Sequence, residues 1–220
     1  MVMKDIKTYI LETKKISSVD DCIQEGFKLG KNKVRKTTKY EYLPKDRDEL
    51  RRILKERLKE NPDADLNDID VSNITDMSLV FWNLDPHNID ISELDVSNVE
   101  DMQSMFNGCK SFEGKGLENW DVSSVKYMNG IFQGCYNFIS NISDWNVSNV
   151  SNMSCMFRGC HNFNSNLSKW NVSKVENMTF MFYDCKKFNV DLSNWNIYKV
   201  NNMQFMFNGC MDVKVLKEKT

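Results

Sequence analysis

Four tryptophans, Trp120, Trp145, Trp170 and Trp195, fall 25 residues apart, and the rest of the chain follows their spacing. Leu94 and Ile69 continue the series upstream, giving six units that start at 69, 94, 120, 145, 170 and 195. The one irregular step, 26 residues from Leu94 to Trp120, contains Glu113, Gly114, Lys115 and Gly116, where a surface loop can absorb the extra residue. A unit reads W-[DN]-V-S-x-V-x-x-M-x-x-M-F-x-G-C-x-x-F-x-x-x-[LI]-S-x. Apolar residues form columns across the units: Val71, Val96, Val122, Val147, Val172 and Ile197; Met77, Met102, Met128, Met153, Met178 and Met203; Phe81, Phe106, Phe132, Phe157, Phe182 and Phe207. One unit holds too few apolar groups for a core of its own, so the units must stack and share one.

Two periodicities occur inside each unit. Trp145 and Val147 alternate with polar neighbours, as in a short strand. Val150, Met153, Met156 and Phe157 then recur at three- and four-residue steps, which predicts about six helical residues per unit, in part 3₁₀, with Asn152 as N-cap and Gly159 as the left-handed residue after the end.

The pattern [LI]-x-x-W-x-V followed by V-x-x-M-x-x-M-F-x-G-C-x-x-F resembles the BspA-like branch of the leucine-rich repeats, in particular the tryptophan-containing repeat of mycoplasma surface lipoproteins. The resemblance covers about residues 66–213. It implies an α/β solenoid, a right-handed coil stack with a parallel β-sheet on one face and helical or irregular segments on the other. Many members of that family are adhesive bacterial surface proteins, and others lack export signals.

The ends read differently. Residues 1–45 form an expected helical and basic arm: Ile6, Tyr9 and Ile10 suggest one short helix, Ser18 through Phe27 a second, and Lys31, Lys33, Arg35, Lys36 and Lys39 supply positive charge. Residues 46–62 are expected to be a capping helix. Asp46 and Glu49 have capping-box spacing, Leu50, Ile53, Leu54 and Leu58 share one face, and Asn61-Pro62 stops the helix. Residues 63–220 carry the repeats, with Val213 and Leu216 placed to cover the last one.

Composition narrows the function. The formal net charge of −2 gives the whole molecule no strong steer toward nucleic acid or membrane, and no stretch approaches the apolar length of a membrane span. The start, MVMKDIKTYILETKK, has no continuous apolar region of a secretory signal. A cytoplasmic location is expected, or the cell surface if an export signal has been removed. Seven cysteines without such a signal argue against a disulfide framework. Five of them, Cys109, Cys135, Cys160, Cys185 and Cys210, share one repeat position and predict a ladder of buried, reduced thiols rather than a metal or redox centre, because a linear ladder does not converge on one ion. His87 and His161 belong to no catalytic motif, and no phosphate-binding glycine loop occurs. Asp63, Asp65, Asn67, Asp68 and Asp70 lack the Gly and Glu of a calcium loop and read as a polar turn. No enzyme activity, metal or cofactor is expected.

What remains is the outward face of the predicted strands: Asp95, Asp121, Asp144, Asn146, Lys169, Asn171, Asn194, Asn196 and Tyr198. A broad polar face suits a protein partner better than a small ligand. The expected function is therefore a non-catalytic protein–protein interaction module, a cytosolic or mobile-element-encoded (bacterial or phage) binder, regulator or inhibitor. The alternatives are a surface adhesin and nucleic-acid binding through the basic arm.

Overall fold

The computed structural model describes residues 40–210. The chain divides into two units, Met1–Lys39 and Tyr40–Thr220. The basic-arm residues, the two short helices expected there, and Val213 and Leu216 lie outside the described residues.

One α-helix, α1 (Arg47–Glu60), opens the described part. Asp46 caps it, its carboxylate accepting from the Glu49 N–H at 2.9 Å. The reciprocal arm of the capping box lands one residue early, with the Lys45 N–H donating to Glu49 Oε2. Leu50, Ile53, Leu54 and Leu58 are buried, as their spacing predicts. The helix also covers polar edges. The Arg51 guanidinium donates to the carbonyls of Leu79, Val80 (3.0 Å) and Trp82 (2.9 Å). Arg57 reaches Asp68 Oδ2 and the Asp65 carbonyl, each at 2.7 Å, and lies over the Tyr42 ring.

The expected leucine-rich-repeat solenoid, with helical segments and a parallel β-sheet face, is overturned. Among the described residues, α1 and a single 3₁₀ turn (Leu117–Asn119) are the only helices. There is no sheet. Successive coils touch through isolated parallel bridges running Asp76, Asp101, Tyr127, Asn152, Asn177 and Asn202, and two more, Tyr42 to Ile69 and Asp65 to Asp90, lie at the start of the stack.

Turns explain both misreadings. In the stretch that looked helical, Cys155 has φ of 57°, a left-handed conformation that a right-handed helix does not tolerate, while Gly159, at 77°, is left-handed as expected of the residue after the stretch. Three-residue turns close around them: Met156 N–H to Met153 O, Arg158 N–H to Cys155 O, Cys160 N–H to Phe157 O. The alternate N–H groups, of Met153, Cys155, Phe157 and Gly159, donate to the next coil at Asn177, Thr179, Met181 and Tyr183. Turns of three residues place side chains at nearly helical spacing without a helix. In the stretch that looked like a strand, Trp145 and Val147 are indeed buried and Asp144 and Asn146 exposed. However, the Ser148 N–H is taken by the Asn146 side chain, and the Trp145 and Val150 N–H groups by carbonyls three residues back. Groups tied locally in this way cannot pair with a neighbouring coil.

The same Asx turn recurs with Asp70, Asp95, Asp121, Asn171 and Asn196, each accepting from the N–H two residues on, which gives the [DN]-x-S pattern a physical cause.

The core fills the centre of the coils. Phe106, Phe132, Phe157, Phe182 and Phe207 stack in file at 5.5–5.8 Å between ring centroids. A second file, Phe138, Phe163 and Phe188, runs beside it, with the paired rings of each coil 4.1 Å apart. Each of the four tryptophans of the repeat column tilts against this file and donates its indole N–H to a carbonyl 28 or 29 residues back, one coil away: Trp120 to Ile91, Trp145 to Leu117, Trp170 to Ile142 and Trp195 to Leu167. The thiols do likewise. Cys109, Cys135, Cys160, Cys185 and Cys210 donate to the carbonyls of Phe81, Phe106, Phe132, Phe157 and Phe182 at 2.9–3.1 Å. They are free, and the first four are fully buried. Leu84 stands at this position in the first coil, which has helix α1 and no earlier phenylalanine carbonyl before it. The 26-residue step is less superficial than expected: Glu113 and Lys115 are exposed, but Gly114 is buried at φ 85°, and a Cβ there would meet the Phe138 ring at 2.3 Å.

Candidate interaction surface

The outward residues predicted from the sequence are accessible. Asp121, Asp144, Asn146, Lys169, Asn171, Asn194 and Asn196 are exposed, and Asp95 is half-buried. They do not line a sheet. They sit at the corners of successive turns, and Asp95, Asp121, Asn146, Asn171 and Asn196 spend one oxygen holding the turn. Asp95 also accepts from the Ser97 hydroxyl at 2.7 Å. Neighbouring coils are tied at the next corner, where Asn149 Nδ2 donates to Ser123 O and Lys174 Nζ to Asn149 Oδ1. The backbone that presents these side chains is thus fixed in advance. Tyr198 is 94% exposed, on an N–H held by Asn196, at a position where the earlier coils carry serine.

A second exposed feature was missed in the sequence. Arg158 lies over the rings of Phe180 (5.2 Å) and Tyr183 (5.3 Å), and Phe180 stacks on Phe205 at 5.1 Å. The residues Leu79, Ser104, Gly130, Cys155, Phe180 and Phe205 occupy one column, all with positive φ. The signal available was variability. This column changes from coil to coil while its methionine and phenylalanine neighbours do not, and it ends in two large rings. Beside it, His161 stacks on Tyr136 and its Nε2 lies 2.9 Å from Asp184 Oδ2.

The carboxylates of the former calcium candidate are engaged within the protein. Asp65 and Asp70 close Asx turns, Asp63 accepts from the Asn88 N–H, and Asp68 pairs with Arg57. Burial raises the Asp101 carboxyl above its ordinary range despite the Gln103 N–H it accepts, and the neighbouring Asp76 adds to the effect. The Ser92 N–H and hydroxyl lower Asp90. Among the described residues no group of three or more His, Cys, Asp or Glu could hold a metal ion, and no helix is long and apolar enough to cross a membrane. The shallow depression between α1 and the first coil is lined by Lys45, Asp46, Arg47, Asp48, Asn73, Ile74, Thr75 and Asp76, a polar set unlike an apolar ligand pocket.

These features define a repeat protein of turn-built coils, with an aromatic and aliphatic interior and a polar exterior. Residues 49–138 and 112–218 match the family described as "Mycoplasma protein of unknown function, DUF285", and the chain belongs to that family. Neither a curated protein nor a solved structure matches it.

Proposed function

We propose that this chain is a non-catalytic module that binds another protein through the outward turns of its coils. The exposed Tyr198 ring carries the reading. A phenol 94% accessible to solvent adds nothing to the core, replaces the serine of every earlier coil, and stands on a turn already held by Asn196. Aromatic residues on a fixed backbone lose little freedom on binding and are enriched at binding hot spots. Lys169 and the exposed asparagines around it supply a polar rim.

The test is the double change Lys169→Glu with Tyr198→Ala, measured by calorimetry against a protein partner captured with the full chain. Binding is expected to weaken about tenfold or more, with an unchanged circular dichroism spectrum. Full affinity in the folded double variant contradicts the proposal.

A further inference from the structure

We infer that the C-terminal edge of the coil stack is a docking site for a peptide segment of a partner protein, one that supplies a row of carbonyl acceptors and apolar side chains. The inference is independent of the polar outward turns and rests on the polarity of the backbone. Each coil passes four N–H donors forward. Those of Met178, Phe180, Phe182 and Asp184 donate to the carbonyls of Asn202, Gln204, Met206 and Asn208 at 2.7–2.9 Å. The equivalent groups of the last coil belong to Met203, Phe205, Phe207 and Gly209, and among the described residues they meet no acceptor.

The opposite edge is treated differently. Its open carbonyls include those of Val80 and Trp82, and both are taken by Arg51 of α1. Among the described residues, two of the four acceptor carbonyls of the first coil are thus taken by α1, while the four donors of the last coil meet no acceptor. An unpaired row of backbone groups is a template for another chain.

The flank of this edge is apolar and exposed. Met203 is 40% and Phe205 55% accessible, whereas the methionines of that column in the inner coils are buried. Phe205 holds φ of 57°, uncommon for a bulky residue, and keeps its ring against Phe180. The left-handed residue recurs in every coil of this column and belongs to the repeat; what the last coil adds is the exposure of the ring.

Polarity also selects the occupant. Two copies meeting through this edge would set donors against donors. By equivalence with Glu176, whose carbonyl accepts from Asn201, the Asn201 carbonyl offers one acceptor ahead of the donor row. The incoming segment thus runs parallel to residues 201–209, with one N–H followed by alternate carbonyls. Residues 192–210 contain Lys199 and no acid, so an acidic segment is favoured.

A synthetic peptide copying residues 174–185 is a suitable probe. It carries two acids and one lysine, and its carbonyls at Asn177, Thr179, Met181 and Tyr183 already act as acceptors within the stack. In the full chain alone, the amides of Met203, Phe205, Phe207 and Gly209 are expected to exchange with solvent rapidly, while those of Met178, Phe180, Phe182 and Asp184 stay protected. The peptide should slow the four edge amides about tenfold or more, and a scrambled peptide should not. Met203→Ala with Phe205→Gly, the glycine being compatible with the positive φ, should weaken the effect about tenfold through lost apolar contact. Two results overturn the inference. One is edge amides that remain fast with the peptide present. The other is edge amides already protected in the chain alone, whether by its own residues 211–220 or, if protection grows with protein concentration, by a second copy.

Discussion

Trp170→Ala lowers the stability of the stack by about 3–5 kcal/mol, the range for truncating a large buried aromatic residue. The indole is 4% exposed, tilts against Phe157 at 6.3 Å, and donates to the Ile142 carbonyl of the preceding coil. Alanine removes the ring and leaves a void between two coils that are each held by their neighbours, so collapse around it is restricted. Trp170→Phe separates the terms. It keeps most of the apolar contact and removes the N–H, and should cost about 1–2 kcal/mol. Urea titration followed by the remaining tryptophans measures both. An unchanged midpoint for the alanine variant would place the ring outside the core.

Raising the pH above about 9 destabilises the protein through its thiols. Burial pushes Cys109 up to about 12 and Cys210 up to about 11, and lifts Cys135, Cys160 and Cys185 well above the ordinary thiol value. The folded state therefore holds these protons more tightly than the unfolded chain. The stability linked to them is fully present below the unfolded thiol range and is lost as the pH climbs through it toward the folded values. The thermal midpoint is expected to fall progressively from about pH 9 upward. A Cys135→Ala and Cys160→Ala variant is expected to start lower at neutral pH, having lost two bonds to carbonyls, and to fall less steeply. At neutral pH a thiol reagent should react slowly with the four fully buried cysteines and faster with the half-buried Cys155. Identical alkaline slopes for the variant and the parent, or labelling of the four buried cysteines as fast as that of Cys155, would contradict the ladder.

The interior was legible in the sequence because it repeats. The tryptophan, phenylalanine and cysteine columns are buried where the period places them, except that Phe207 and Cys210 of the last coil are half-buried, and the Asp46 cap and the apolar face of α1 stand where the spacing indicates. The secondary structure was not legible, for a specific reason. Residues Val150 to Phe157 keep three-residue spacing whether the backbone coils as a helix or as linked turns, and a cysteine with positive φ at 155 has no sequence signature. Burial alternation at Trp145 and Val147 is likewise shared by a strand and by an Asx turn, and only the destination of the Ser148 N–H separates them. The polar outward residues were legible as exposed but not as turn corners. The donor row of the last coil, which meets no acceptor among the described residues, was beyond reach, since it belongs to the backbone and not to any side chain.

The central claim is that the described coils are joined turn to turn, with no α-helix or sheet inside them and a single 3₁₀ turn at Leu117–Asn119. The most direct measurement is the scalar coupling carried across individual hydrogen bonds in an NMR experiment on the isotope-labelled chain. A coupling is predicted between the amide nitrogen of Phe157 and the carbonyl carbon of Met181, joined by a 2.9 Å bond to the following coil, and between Met156 and Met153 within one turn. Coupling of Phe157 to Met153 would instead place these residues in an α-helix and contradict the account.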